Sequence, residues 1–111
     1  MPELTVYTID YNGLDVESAY TAAASSQEFA NDGRTFVHVK NTDGSSHTIT
    51  FVTTRTVENL AVADNTVTVG ANTGEQMIGP FPTGTYNAAD GNVDITWSDT
   101  TGMTIAVFKL V

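Results

Sequence analysis

Serine, histidine and aspartate stand together in Asp43-Gly44-Ser45-Ser46-His47. These are the groups of a hydrolytic triad. A triad works only when nucleophile, base and orienting carboxylate converge beside an oxyanion hole. Here they share one presumed hairpin loop, where neighbouring side chains point apart, and no Gly-x-Ser-x-Gly elbow accompanies them. Polar turn chemistry accounts for the segment. The expectation is a chain without catalytic residues, not an enzyme.

The same test applies to metals. His38 and His47 are the two histidines of the chain. They fall on neighbouring predicted strands, and with a carboxylate they could hold zinc. No His-x-x-x-His spacing supports that. Asn41-Thr42-Asp43-Gly44 and Asp90-Gly91-Asn92 offer oxygens on turns, but calcium takes six to eight oxygens and the EF-hand pattern is missing. Asx turns explain both segments. Asp94 and Asp99 would be a glycosidase pair only if they flanked a cleft; a strand's outer face and a turn make them solvated surface. The glycines have neither dinucleotide nor Walker spacing. No metal or other cofactor is expected.

The elements that position these residues follow from bulk properties and periodicity. At 111 residues the chain fits one domain. It has no cysteine, so no disulfide or thiolate chemistry is available. Thirteen acidic and four basic residues give a net charge of -9. That charge repels phosphate backbones and anionic bilayers, so neither nucleic acid nor membrane is expected as a partner. Met1-Pro2-Glu3-Leu4-Thr5 lacks a basic, then apolar, leader pattern, so no secretory signal is expected.

Threonine, valine and aromatic residues are spread throughout, and turn signals recur at Tyr11-Asn12-Gly13, Asn31-Asp32-Gly33, Thr42-Asp43-Gly44, Asn72-Thr73-Gly74 and Asp90-Gly91-Asn92. This pattern predicts an all-β fold: one antiparallel β-sandwich, jelly-roll or small barrel-like domain of about eight strands. Residues 1–30 form an N-terminal strand or arm and an Ala/Ser-rich loop packed on a body of residues 31–111. Leu4 to Ile9 is the first strand. Arg34 to Lys40 and His47 to Thr54 are expected as a hairpin, and Thr66 to Val69 with Glu75 to Gly79 as another. In Asn92 to Ser98, Val93, Ile95 and Trp97 point inward and Asn92, Asp94, Thr96 and Ser98 outward. Met103 to Leu110 is apolar enough to be covered on both faces. Val16, Ala19, Tyr20 and Ala23 have helical spacing, with Asp15 as a cap; the segment is too short for more than one turn.

Pro80-Phe81-Pro82 is a stiff aromatic corner. Phe81 either caps the core there or stands out as a rigid contact, and the core position is favoured.

Several stretches together resemble a known family. They are Ala30-Asn31-Asp32-Gly33-Arg34-Thr35-Phe36-Val37-His38-Val39-Lys40-Asn41, Leu60-Ala61-Val62-Ala63-Asp64-Asn65-Thr66-Val67-Thr68-Val69, Ile78-Gly79-Pro80-Phe81-Pro82 and Asp90-Gly91-Asn92-Val93-Asp94-Ile95-Thr96-Trp97, followed by the apolar C-terminal strand. From about Ala30 onward the chain is similar to the small head decoration, or cement, proteins of tailed bacteriophages and prophages. The resemblance implies a structural virion protein, made in the host cytoplasm, that binds the major capsid protein lattice on the outer surface of the head and stabilises it. Proteins of this kind are often homo-oligomers on the shell, frequently trimers, and some are monomers, so the resemblance leaves both states open. It carries no functional residues across.

The residues offered for partner binding therefore come from the chain itself: Leu4, Val6, Tyr7 and Ile9 on a terminal strand that either stays in the domain or adds to a neighbouring subunit, and Phe81 and Tyr86 at the proline corner. A second class of function is a carbohydrate-binding or adhesion module on a virion or cell surface. Trp97 with Asp94 or Asp99 is its one candidate site.

Overall fold

The structure, a computed structural model, describes residues 3–110. Met1 and Pro2, the first residues of the leader-free N-terminus expected above, and Val111 lie outside the described residues.

The strands are β1 (Glu3–Leu4), β2 (Val6–Ile9), β3 (Thr21–Ala22), β4 (Ser26–Ala30), β5 (Thr35–Asn41), β6 (His47–Phe51), β7 (Thr56–Val57), β8 (Leu60–Ala61), β9 (Asn65–Val69), β10 (Gly74–Ile78), β11 (Asn92–Trp97) and β12 (Met103–Leu110). One helical turn, α1, spans Thr83–Tyr86, and a single 3-10 turn spans Val16–Ala19. The chain is all-β. One sheet has the order β1-β4-β11-β6-β9; the other has β10-β5-β12-β2, with β3 also paired to β12; β7 and β8 form a separate ladder. Neither large sheet closes into a barrel.

Alternation builds the core. β5 and β6 bury every second residue, as the two-residue period of a strand requires. Leu4, Phe29, Ile49, Phe51, Val69, Val93 and Ile95 from one sheet meet Val37, Val39, Met103, Ile105 and Val107 from the other in one cluster. The outer face of the second sheet is apolar too: Ala106 and Phe108 are buried with Ala19, under the segment that carries Leu14 and Tyr20. β12 is thus covered on both faces, as its continuous apolar run predicts. The outer face of the first sheet is polar, with Thr50 and Thr66 hydroxyls 3.0 Å apart across β6 and β9.

The segment expected to be a loop with at most one helical turn holds a single 3-10 turn, and the Asp15 side chain accepts the Glu17 amide at its start. Two expected hairpins do not form. β5 and β6 lie in different sheets, and so do β9 and β10. Each turn-rich connection is an arch across the core. Asn41 holds the first arch: its amide nitrogen donates to the Ser45 and Val69 carbonyls, and its side-chain oxygen accepts the Asp43 amide.

The N-terminal strand stays in the domain and divides between the sheets. β1 pairs parallel with β4, and β2 pairs parallel with β12. Pairing is therefore mixed rather than purely antiparallel. Asn92, expected on the outer side, is buried, and its amide donates to Glu3 Oε1 at 3.0 Å.

Strand direction fixes the two ends of the body. β4 runs antiparallel to β11, which runs antiparallel to β6; β10 and β12 both run antiparallel to β5, and β2 runs with β12. The β4–β5, β6–β9 and β10–β11 connections, and the ends of β2 and β12, consequently gather at one end.

Candidate functional site

The loop end is laced by side chains rather than by sheet hydrogen bonds. Asn31, in the β4–β5 connection, donates to the Phe81 carbonyl at 2.8 Å and to Asn87 Oδ1 at 2.7 Å. Asn87 donates to the Asn31 and Gly91 carbonyls. Thr54, in the β6–β9 connection, bonds the Thr85 carbonyl through its amide and the Asn87 carbonyl through its hydroxyl. Buried backbone groups in loops need such partners, and here they fix three connections to one another.

From this base the β7–β8 ladder projects. Thr53 anchors it: its hydroxyl donates to the Val62 carbonyl at 2.6 Å and its amide to Asp64 Oδ1 at 3.0 Å. The turn places Glu58 at φ 52° and Asn59 at φ 67°. That is the left-handed pair of a two-residue hairpin turn, favoured for Asn and costly for Glu. Val57 and Leu60 are paired across the ladder, and both are exposed, Leu60 at 72%. None of the described residues covers them.

Beside the ends of β10 and β12 lies a groove of about 380 Å3, lined by Gly33, Arg34, Phe36, Met77, Ile78, Gly79, Pro80 and Leu110. Met77 and Leu110 are more than half exposed. Among the described residues that line the groove, Arg34 is the charged one, 3.7 Å from Asp32 in an open ion pair. The Asp32 carboxyl is held below the usual carboxylate range, first by the Arg34 amide, then by the Lys109 and Arg34 charges. Tyr11, fully exposed, follows β2 at the same end. Among the described residues, the exposed large apolar side chains are Tyr11, Val16, Val57, Leu60, Met77 and Leu110; all but Val16 sit at the loop end.

The residues proposed from sequence fall differently. Phe81 is 1% exposed and packs on Phe29, Phe51 and Tyr86, so it caps the core and offers no contact surface. Leu4 is likewise in the core at 7%. Val6, Tyr7 and Ile9 are half-buried, Val6 against the main core and the other two on the outer cluster. Tyr86 is half-buried against Phe81. Sequence reading missed Val57, Leu60, Met77 and Leu110. The Glu58-Asn59 turn lacks the Asn-Gly or Asp-Gly signature that marks short hairpins.

The candidate chemistry is also resolved spatially. His38 and His47 are not strand neighbours; they sit in different sheets. His38 accepts the Tyr20 hydroxyl at Nδ1 and donates to Glu75 at 3.1 Å, while the Lys40 ammonium lies 4.1 Å from the Tyr20 ring centre. Burial, with the Glu75 and Glu17 charges, raises the Tyr20 pKa. His47, expected to point away from its loop neighbours, instead donates to Asp43 at 2.7 Å; Ser45 enters only through its carbonyl, held by Asn41. Among the described residues, no three His, Cys, Asp or Glu side chains cluster as a metal site. Trp97 is half-buried against the core and donates to Gln27 at 3.1 Å. No helix among the described residues is long and apolar enough to cross a membrane.

Comparison with protein-family models, curated proteins and solved structures finds no match to the chain.

Proposed function

We propose that this chain is a non-catalytic structural protein of a tailed-phage virion, a decoration protein that seats its loop end on the outer surface of the capsid lattice and reinforces it. The observation that carries the reading is the gathering of exposed Tyr11, Val57, Leu60, Met77 and Leu110 at one end. Scattered surface hydrophobes need no explanation, but a concentration of them marks an interaction surface. The resemblance of residues from Ala30 onward to head decoration proteins names the lattice as the partner.

The fold we propose is a jelly-roll sandwich. Two features support it. From β3 to β6 the chain crosses between the two large sheets at every step, returns after the β7–β8 ladder to the sheet of β6 as β9, then crosses again through β10, β11 and β12. The resulting neighbours, β3-β12-β5-β10 and β4-β11-β6-β9, are those of an eight-stranded double Greek key. The fold by itself hosts many functions; the loop end selects among them. A net charge of -9 keeps such a protein soluble and apart from its own copies before assembly.

The test is composition. Heads purified from the virus or prophage that carries this gene should contain the chain in fixed ratio to the major shell protein by quantitative mass spectrometry. Heads without it would end the proposal.

A further inference from the structure

We propose that Tyr20 is a one-electron donor site: an outer-sphere one-electron oxidant takes an electron from its ring as its phenolic proton passes to His38. Three side chains on the outer face of the second sheet form the relay. Tyr20 follows the 3-10 turn, His38 lies on β5 and Glu75 on β10. The Tyr20 hydroxyl meets His38 Nδ1, and His38 Nε2 lies 3.1 Å from Glu75 Oε1. An ionised carboxylate can only accept, so Glu75 fixes the imidazole proton on Nε2. Nδ1 keeps its lone pair toward the Tyr20 hydroxyl, placed to act as a base.

A phenol that loses an electron becomes a strong acid, so the electron leaves readily only where the proton has somewhere to go. The Lys40 ammonium, 4.1 Å from the Tyr20 ring centre, sharpens that demand, because it opposes positive charge left on the ring. Burial and the Glu75 and Glu17 charges raise the Tyr20 pKa, so the hydroxyl holds its proton until the electron goes. The products are a neutral phenoxyl radical and an imidazolium that donates from both nitrogens, to the Tyr20 oxygen and to Glu75. One electron passes to the oxidant, one proton to His38, and no bond to carbon breaks. Glu75 stabilises the imidazolium as the aspartate of a hydrolytic triad does, and it stands opposite Lys40 across β10 and β5, offsetting the second cation.

The other oxidisable rings lack such a base. Among the described residues, Tyr20 is the tyrosine whose hydroxyl meets an imidazole. His47 is turned to Asp43. Trp97 donates to the Gln27 amide oxygen, which does not take a proton at neutral pH. Tyr11 is fully exposed and loses its proton only to water. The half-buried Tyr20 ring is also shielded from coupling to a second phenol.

The intact chain is oxidised at neutral pH by a photogenerated ruthenium(III) polypyridyl complex. The radical is identified by electron paramagnetic resonance, and its rate of formation is measured in water and in deuterium oxide. The expected result is a neutral tyrosyl radical that forms more slowly in deuterium oxide, survives Tyr11→Phe and falls several-fold in Tyr20→Phe. His38→Gln still accepts the hydroxyl but is no base. It should slow formation by roughly a hundredfold, the lower end of what a positioned base contributes, and Glu75→Gln by a smaller factor. Undiminished radical in Tyr20→Phe, or an unchanged rate in His38→Gln, would overturn the proposal. So would equal wild-type rates in the two solvents, a result that depends on no variant.

Discussion

Asn31 and Asn87 exchange hydrogen bonds across the loop end: the Asn31 amide donates to Asn87 Oδ1 at 2.7 Å, and the Asn87 amide donates to the Asn31 carbonyl at 2.9 Å. The pair ties the β4–β5 connection to the β10–β11 connection. Asn31 is buried, so removing its partner strands polar atoms away from water. Asn87→Ala should cost about 1–3 kcal/mol, measured by urea denaturation. A loss near zero would mean that water replaces the pair and that the loop end is not held as described.

Asp64 accepts both the amide and the hydroxyl of Thr53 at the base of the β7–β8 ladder. Two two-residue strands cannot hold a hairpin unaided. Asp64→Ala should leave the core intact and raise amide hydrogen exchange in residues 55–62 by up to roughly tenfold, the equivalent of about 1.4 kcal/mol of local opening. Unchanged exchange there would show that the ladder does not depend on this anchor.

Phe81 and Leu60 make a contrasting pair. Phe81 is packed among three aromatic rings, and Leu60 stands in solvent. Phe81→Ala should cost about 3–5 kcal/mol, and Leu60→Ala within about 0.5 kcal/mol of nothing. Thermal unfolding of the two variants checks this. Equal losses would mean that Leu60 is covered in the free protein.

Asp32 and Asp99 both have carboxyls held below the ordinary range, chiefly by backbone amides of Arg34 and Thr101. A pKa lowered by folding contributes stability above the unfolded value, and that stability is lost as pH falls through the folded value. The melting temperature should therefore decline as pH drops below the ordinary aspartate range. Asp32→Asn, which has no carboxylate to protonate, should flatten part of that decline. An identical pH slope in the variant would remove Asp32 from the account.

How much of this could be read from sequence depends on range. Alternation placed Val93 and Ile95 inward, the apolar run of β12 implied cover on both faces, and Asp15 marked a single turn; each is a local property of side-chain period or capping. Strand pairing is not local. The Asn41–Ser46 and Gly70–Gly74 segments have turn composition whether they fold a strand back beside its neighbour or carry it over the core. The deciding feature, the buried Asn41 side chain reaching the Val69 carbonyl, joins residues far apart in sequence. The exposed apolar end is illegible in the sequence for a related reason. Val57, Leu60, Met77 and Leu110 come from separate segments, and each looks ordinary until strand direction brings its element to the same end.

Leu60→Asp provides the most direct check on decoration through the loop end. Wild-type chain and Leu60→Asp, added to heads stripped of the chain, are compared by mass-spectrometric ratio to the shell protein and by cryo-electron microscopy. The account predicts that wild type saturates the heads, with residues 55–62 or the Met77/Leu110 groove against the lattice. It predicts that Leu60→Asp, still folded, loses ten-fold or more in affinity, as about 1.4 kcal/mol at one anchor would give. Equal binding by both proteins, with density showing the Thr50/Thr66 face or the N-terminal segment on the shell, would contradict it.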